Sequence, residues 1–318
     1  MDAANPNTLS EPLHWPAEGN ARVPFRLFSD LEIYAMEHEK IFRGPVWNFV
    51  CLETDVANTG DYKTSFIGEI PVFATRDHDA SVHVMVNRCA HKGALVCTKE
   101  RGNAQDLTCI YHAWSYSLAG KLTGVAFRKG VKGRGGMPDY FDISKHKLET
   151  LRVEVYCGLV FATFSDKTPP MEQYLGPRMA HFVNRSLGRP LKLLGVQSQI
   201  IHNNWKLYAE NSRDSYHATL LHTFYTSFNV NRLDTDGGII LADDKWHHVS
   251  YSKRDTVSNA PEYNDAKVHA SKFEAKLEAP ELLDMFEEFD DGITHSIQTI
   301  FPNLAIHFTF NSLAVRFF

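Results

Sequence analysis

Cys89-Ala90-His91 and Cys109-Ile110-Tyr111-His112 are the stretches on which the reading of this chain turns. Each is a short Cys/His pair, and about twenty residues separate the two. Thiolate and imidazole together suit a borderline-soft metal. Four such donors on two loops fit either a tetrahedral zinc or a [2Fe–2S] cluster in which two thiolates hold one iron and two imidazoles the other. Three features favour the cluster. Zinc fingers commonly pair Cys with Cys and His with His, whereas each loop here mixes the two. Gly93 and the Ala113-Trp114-Ser115-Tyr116 run suit tight loops round a partly exposed cofactor. Both loops also lie in a β-rich segment rather than leading into a helix. Cys97 nearby reads as a small buried hydrophobe.

Outward from these loops, Val46 to Phe164 has β texture. Val46–Cys51 predicts a short strand, and Tyr62–Phe73 two more around Gly68. Val82, Val84 and Val86 alternate with His83 and Met85 as in a half-buried strand, and Leu151–Phe164 predicts a pair turning near Gly158. Asp166-Lys167-Thr168-Pro169-Pro170 cannot extend a sheet, and a domain boundary is expected there. Before the β region, residues 1–28 read as an extended arm. Ser29-Asp30-Leu31-Glu32 reads as a capping box opening a helix through Tyr34, Ala35 and Ile41 that Gly44-Pro45 stops. After Pro170 the expected order is a helix near Met171–Val183, a strand near Leu193–His202, and a long helical stretch from Trp205. Strands and loops follow over 230–270, then a helix over Ala279–Phe289 and strand texture from Ile297 to Phe318. The expected fold class is α+β: an N-terminal arm and helix (1–40), an all-β cluster domain (41–167) and a sheet-and-helix domain (168–318).

Composition limits the function classes. The 318 residues are 43% hydrophobic and 22% charged with a net charge of −5, so the chain is globular, large enough for two cores, and without a basic signature for nucleic acid. The longest apolar run, Gly158–Phe164, cannot span a bilayer, and the N-terminal residues show no charged-then-apolar signal pattern. Five cysteines without a signal peptide argue against a disulfide framework. The chain is expected to be soluble and cytoplasmic.

The second constellation is Asp214-Ser215-Tyr216-His217 followed by His222, inside the polar run that starts at Asn204-Trp205-Lys206. Non-haem Fe(II) oxygenases need two His and one carboxylate with open positions for dioxygen. Asp214 and His217 are three apart and share a helix face. His217 and His222 are five apart, roughly 140° round a regular helix, and can meet at one metal only if the helix breaks there. Alone, the pair reads equally as surface or core histidines.

In this order the two motifs resemble the large (alpha) subunit of Rieske non-haem iron aromatic-ring-hydroxylating oxygenases, from about residue 40 onward. The resemblance implies that Cys89, His91, Cys109 and His112 hold a [2Fe–2S] cluster and that His217 and His222 bind mononuclear iron. It also implies that Asp214 bridges an iron ligand of one subunit to a cluster ligand of the next. Gly124–Gly130, Gly133–Pro138 and Asn204–Phe228 carry a closer resemblance to the branch acting on aromatic acids such as salicylate, anthranilate and terephthalate.

The implied activity is that of a terminal oxygenase. It would take NADH-derived electrons from a reductase, with or without a ferredoxin, and use O2 to hydroxylate the ring of an aromatic acid. Oxidative demethylation, amine oxygenation and a non-catalytic Rieske electron carrier are the alternatives. A trimer, with or without a small beta subunit, is implied, with no nucleic-acid or membrane partner. For an acid substrate Arg316 is the candidate carboxylate partner, against its ordinary reading as an outward strand residue, and Phe224, Tyr225 and Phe228 are candidate lining. The family's third iron ligand, an Asp or Glu, is expected beyond Phe318. Asp284, Glu287, Glu288, Asp290 and Asp291 read as a charged helix face, and none is assigned to iron.

Overall fold

The computed structural model describes residues 9–222, 224–225, 235–253, 278–280, 289–310 and 312–318. The chain divides into two compact units. One holds Leu31–Met171 with the described residues up to Pro12, and the other holds Leu13–Asp30 and Glu172–Phe318. The architecture is α+β.

The first unit is built on antiparallel strands. Helix α1 (Arg26–Ser29) precedes it in the chain, and α2 (Leu31–Glu37) opens it. Strands β1 (Asn48–Leu52), β2 (Asp61–Ile67), β3 (Ile70–Arg76), β4 (Val82–Val86) and β5 (Arg101–Asn103) follow. Next come β6 (Leu107–Thr108), β7 (Ser115–Tyr116), β8 (Leu122–Gly124), β9 (Thr150–Tyr156) and β10 (Leu159–Thr163). Seven strands form one sheet in the order β1-β10-β9-β4-β3-β2-β5, and β6-β7-β8 form a second, smaller one. Alternating valines predict a half-buried β4, but Val84, Met85 and Val86 are all buried. The reason is its central place: Phe73 and Met85 share one core with Leu107, Tyr116 and Leu122 of the small sheet, which covers the second face.

The capping box at Ser29 does not form. Ser29 Oγ donates to Phe25 O at the end of α1, and the Glu32 carboxylate accepts from Ser10 N (2.9 Å) and Ser10 Oγ (2.7 Å). The side chains find partners outside the local turn, and part of the expected arm is helical. The proline-rich exit is pinned instead: Trp47 Nε1 donates to Pro169 O at 2.8 Å.

In the second unit, α3 (Met171–Leu187) is kinked at Gly176, where φ is +69° and Pro177 restarts the helix. Helices α4 (Trp205–Asn211) and α5 (Ser215–Leu221) precede a five-stranded antiparallel meander. Its strands are β11 (Gly237–Leu241), β12 (His248–Lys253), β13 (Ile293–Ile300), β14 (Leu304–Thr309) and β15 (Ser312–Phe317). One sheet face meets α3: Gln298 Nε2 donates to Met179 O, and Arg185 stacks over Phe308. By register, the opposite face carries His248, Thr299, His295, His307, Thr309 and Arg316. Burying such a polar row without partners is costly, and these side chains find them in one another and in Ser212, Arg213 and Tyr225.

Two further expectations are corrected here. Leu193–His202 forms no strand; the segment has no regular secondary structure and is exposed, with Leu194 and Ile200 about nine-tenths accessible (91% and 88%). It has strand-forming side chains, but a strand requires a neighbour to bond, and none among the described residues pairs with it. Asp291 is not on a charged helix face: it precedes β13, pairs with Arg185 (2.6 and 2.9 Å) and accepts from Ile293 N. Asp290 lies in the same turn. Asp284, Glu287, Glu288 and most of the Ala279–Phe289 helix lie outside the described residues, as does Phe228.

Candidate metal centres and active site

The two Cys/His loops are built on the same turn. Cys89 N donates to Ala94 O (2.8 Å) and Gly93 N to Cys89 O (2.9 Å); Cys109 N donates to Trp114 O (2.9 Å) and Ala113 N to Cys109 O (3.0 Å). The fifth residue of each turn has positive φ, +75° at Gly93 and +50° at Ala113. Glycine adopts this freely, whereas Ala113 is held there by the surrounding bonds. Asn87, buried at the end of β4, closes the base of the first loop. Its Oδ1 accepts from Val96 N and Cys97 N, and its Nδ2 donates to Cys97 O at 2.7 Å.

Cys89 and Cys109 are buried and unpaired. Tyr116 O accepts from Ala90 N at 3.1 Å, which leaves its O–H to donate to Cys89 Sγ, also at 3.1 Å. Burial, with Cys89 beside it, raises the phenol's pKa, so it stays a donor. The His91 ring stacks on buried Trp114 (4.8 Å, 10° between planes) and meets the exposed His112 edge-on at 4.5 Å. His91 Nδ1 is buried with no hydrogen-bond partner among the described residues. Two buried thiols and an orphaned imidazole nitrogen are a donor set that a cluster would satisfy. Cys97 is buried with its thiol pushed up to about 12 by desolvation, as an inert core residue would be. Three donors also come within 4.8 Å of one another at Asp77, Asp79 and His83, in the β3–β4 turn, where Ser81 and His83 bond the two carboxylates.

The polar run after Asn204 breaks where the second constellation needs it to. Asn204 caps α4 by accepting from Lys206 N, and α4 ends at Asn211. Asp214 stands in extended conformation (φ −83°, ψ 95°) and caps α5, its Oδ1 accepting from Tyr216 N (2.9 Å) and His217 N (3.2 Å). Its other oxygen lies 3.1 Å from His217 Nδ1, without the alignment of a hydrogen bond. Helix α5 ends at Leu221, and His222 leaves helical geometry (ψ 89°), which turns its ring back. His217 Nε2 and His222 Nε2 are 3.2 Å apart, a separation one ion spans at metal–nitrogen distances of about 2.1 Å. The break that a regular helix forbids is supplied by the Asp214 cap and the early end of α5.

The elbow between α4 and α5 is tied to the sheet. Ser212 Oγ bonds Thr299 Oγ1 at 2.8 Å, and Arg213 Nε donates to His248 Nδ1 at 3.0 Å. Burial, with Arg213 beside it, pushes the His248 imidazole down to about 3 and keeps it an acceptor. Beyond His222, Tyr225 OH lies 3.1 Å from His307 Nε2, and His307 Nε2 lies 3.0 Å from His295 Nε2. Exposed Arg316 donates to Tyr208 OH at 3.4 Å, and its charge lowers the pKa values of His222, His295 and His307, in each case behind burial. Phe224 is half-buried beside Tyr225. Sequence reasoning missed His248, His295 and His307. The strand segments carry polar residues in both phases, as in Thr294-His295-Ser296, so only the strands' pairing showed that these three share a face.

Comparison with known proteins decides the family. The Rieske [2Fe–2S] domain matches residues 46–133, and the catalytic domain of the ring hydroxylating alpha subunit matches residues 180–317. The chain is 45% identical over 304 residues to the terephthalate 1,2-dioxygenase terminal oxygenase component subunit alpha 2 of Comamonas sp, covering 96% of this chain and 74% of that one. The chain belongs to the Rieske ring-hydroxylating oxygenase alpha subunits. This alpha subunit is also 43% identical to the anthranilate 1,2-dioxygenase large subunit of Burkholderia cepacia (96% and 72% covered). It is 39% identical to the salicylate 5-hydroxylase large oxygenase component of Ralstonia sp (95% and 73%). In fold it matches naphthalene 1,2-dioxygenase from Rhodococcus sp. with a TM-score of 0.72 at 26% identity, over 93% of this chain and 69% of that one. The alpha subunit is therefore an oxygenase component with a Rieske [2Fe–2S] domain and a non-haem iron catalytic domain, which sets aside the zinc and electron-carrier alternatives. Among the described residues, no helix is long and apolar enough to cross a membrane.

Proposed function

We propose that this alpha subunit hydroxylates the ring of an aromatic carboxylic acid. The observation that carries the proposal is the His217–His222 pair, its nitrogens 3.2 Å apart, beside the sheet face that presents Arg316. Cys89, His91, Cys109 and His112 would hold the cluster, and His217 and His222 the iron. The cluster supplies single electrons when bound, and the iron supplies the O2 chemistry. Arg316 anchors the carboxylate by bidentate hydrogen bonding, and Phe224 lines the ring. Three related large subunits named for aromatic acids support that choice of substrate.

Asp214 fixes the orientation of His217 and couples it to the cluster ligand of a neighbouring subunit. The assembly is a trimer, with or without a small beta subunit, fed by an NADH-dependent reductase with or without a ferredoxin. It works in the cytoplasm, where the five free cysteines stay reduced. The domains divide as 41–167 for the cluster and 168–318 for the iron, after the arm and helix of 1–40.

Metal analysis and a labelled-oxygen product assay test this. About three irons per two acid-labile sulfides are expected, with one iron lost and the cluster absorbance kept in His217→Ala. A cis-dihydrodiol or phenol carrying label from O2 supports the reading. Formaldehyde release, or unchanged turnover in His217→Ala, overturns it.

A further inference from the structure

The two stretches that carry the Cys/His loops hold no acid. Ala80–Lys99 and Leu107–Pro138 contain eight Lys or Arg and no Asp or Glu, in a chain with 38 acidic residues and a net charge of −5. None of the eight forms an ion pair among the described residues. Uncompensated charge of one sign raises the local potential and draws partners of the other.

Four of the eight, Arg128, Lys129, Lys132 and Arg134, sit on one hairpin, Phe127–Gly136, and all four are exposed. Its backbone is held in place. Val131 N donates to Arg134 O (2.9 Å), Arg134 N to Val131 O (3.1 Å) and Met137 N to Arg128 O (2.8 Å). A Cβ on Gly136 would come within 2.7 Å of Gly130 N, so the two arms approach as only glycine allows. At its feet Val125 and Met137 pack on the core that holds Cys89, Cys109 and Trp114. Phe127 and Val131 stand exposed beside the cations (75% and 52%). The hairpin also leads to a Cys/His loop. The Arg128 guanidinium stands 6.0 Å over the Phe141 ring, Phe141 meets Trp114 edge-on at 5.8 Å, and Trp114 stacks on His91 at 4.8 Å.

A protein that delivers electrons must arrive, transfer and leave in every cycle. Charge steering around a small apolar centre suits such an encounter, whereas a permanent interface buries an apolar core and sheds charge. We infer that the Phe127–Gly136 hairpin docks the acidic face of a one-electron donor protein, on the His91 side of the cluster site. One electron leaves the reduced donor and one enters the oxidised cluster, with no bond made or broken. The inference rests on the reductase-fed reading above and adds the surface that the donor meets and the charge of the donor's face.

Stopped-flow reduction of the metal-loaded, full-length protein tests the hairpin with two reduced donors. One is an acidic plant-type [2Fe–2S] ferredoxin, whose potential lies below that of a Rieske centre; the other is the methyl viologen radical, a small cation. With ferredoxin the wild-type second-order rate is expected to fall steeply between about 20 and about 500 mM salt. In Lys129→Gln/Lys132→Gln/Arg134→Gln that rate is expected to be about tenfold or more lower at about 20 mM salt and to converge on the wild type at about 500 mM. Reduction by methyl viologen should hold or quicken, and sedimentation velocity should give the wild-type assembly. Equal ferredoxin rates in the two proteins at low salt overturn the inference, as does a wild type that methyl viologen reduces and ferredoxin does not. Dissociation of the assembly in the variant also overturns it and assigns the hairpin to contact between copies of the chain. No absorbance change with either donor overturns the cluster reading itself, and the inference with it.

Discussion

Arg213 Nε donates to His248 Nδ1 across 3.0 Å, tying the elbow between α4 and α5 to the first residue of β12. The elbow carries Asp214 and aims His217, so a bond between two residues that need touch neither metal nor substrate sets the position of a proposed iron ligand. In His248→Leu the acceptor is lost and Ser212 Oγ loses a neighbour. The expected cost is about 1–3 kcal/mol of stability. Metal analysis should show iron falling relative to sulfide, with the cluster spectrum unchanged. Full iron retention would show that the elbow holds without this bond.

Asp214 does two jobs that substitution separates. Its Oδ1 caps α5, and its Oδ2 faces His217 Nδ1. Asn caps as well as Asp, whereas Ala does not, so Asp214→Asn should leave stability unchanged and Asp214→Ala should cost about 1 kcal/mol. Both variants lose the charge beside His217 and are expected to lose turnover alike. Thermal melts and product formation check the two effects. Activity retained in Asp214→Asn would reduce the residue to a cap.

Tyr116→Phe removes the O–H that reaches Cys89 Sγ but keeps the ring in the core. A hydrogen bond to a thiolate favours the reduced, more negative cluster. Its loss should therefore lower the reduction potential, by roughly 40 mV for a net contribution on the order of 1 kcal/mol to a one-electron couple. A spectroscopic redox titration reads this directly, and an unchanged or higher potential would show that Tyr116 is only packing.

The buried histidines set a pH dependence. His248, His295 and His307 have pKa values depressed to about 3, 4 and 2, each first by burial. Below about 6.5 the unfolded chain takes up protons that the folded state refuses, so stability is full above that pH and falls as pH drops from about 6.5 toward 4. The loss approaches about 1.4 kcal/mol per pH unit for each group. Urea unfolding at pH 7.5 and 5.5 should give a lower midpoint at 5.5, and His248→Gln should make the drop shallower. A midpoint that rises on acidification would contradict the assignment.

Side chains that act through local spacing were legible in the sequence by itself. Cys89 with His91 and Cys109 with His112 announce their chemistry within three or four residues, because a metal needs donors from a short, tight turn. The longer strands β1–β4, β9 and β10 were legible for the same reason, since side-chain alternation is local, whereas the two- and three-residue strands β5–β8 are too short to show a period and were not expected. Tertiary structure decided what depends on residues distant in sequence. Ser29 and Glu32 have the spacing of a cap, yet their partners are Phe25 and Ser10. The strand Val82–Val86 looks half-buried, yet Met85 is buried as well as Val84 and Val86, because the small sheet covers its face. The hardest part to read was the face shared by His248, His295, His307 and Arg316. Strand register brings these four together across some seventy residues of chain, and no period within any one segment could have done so.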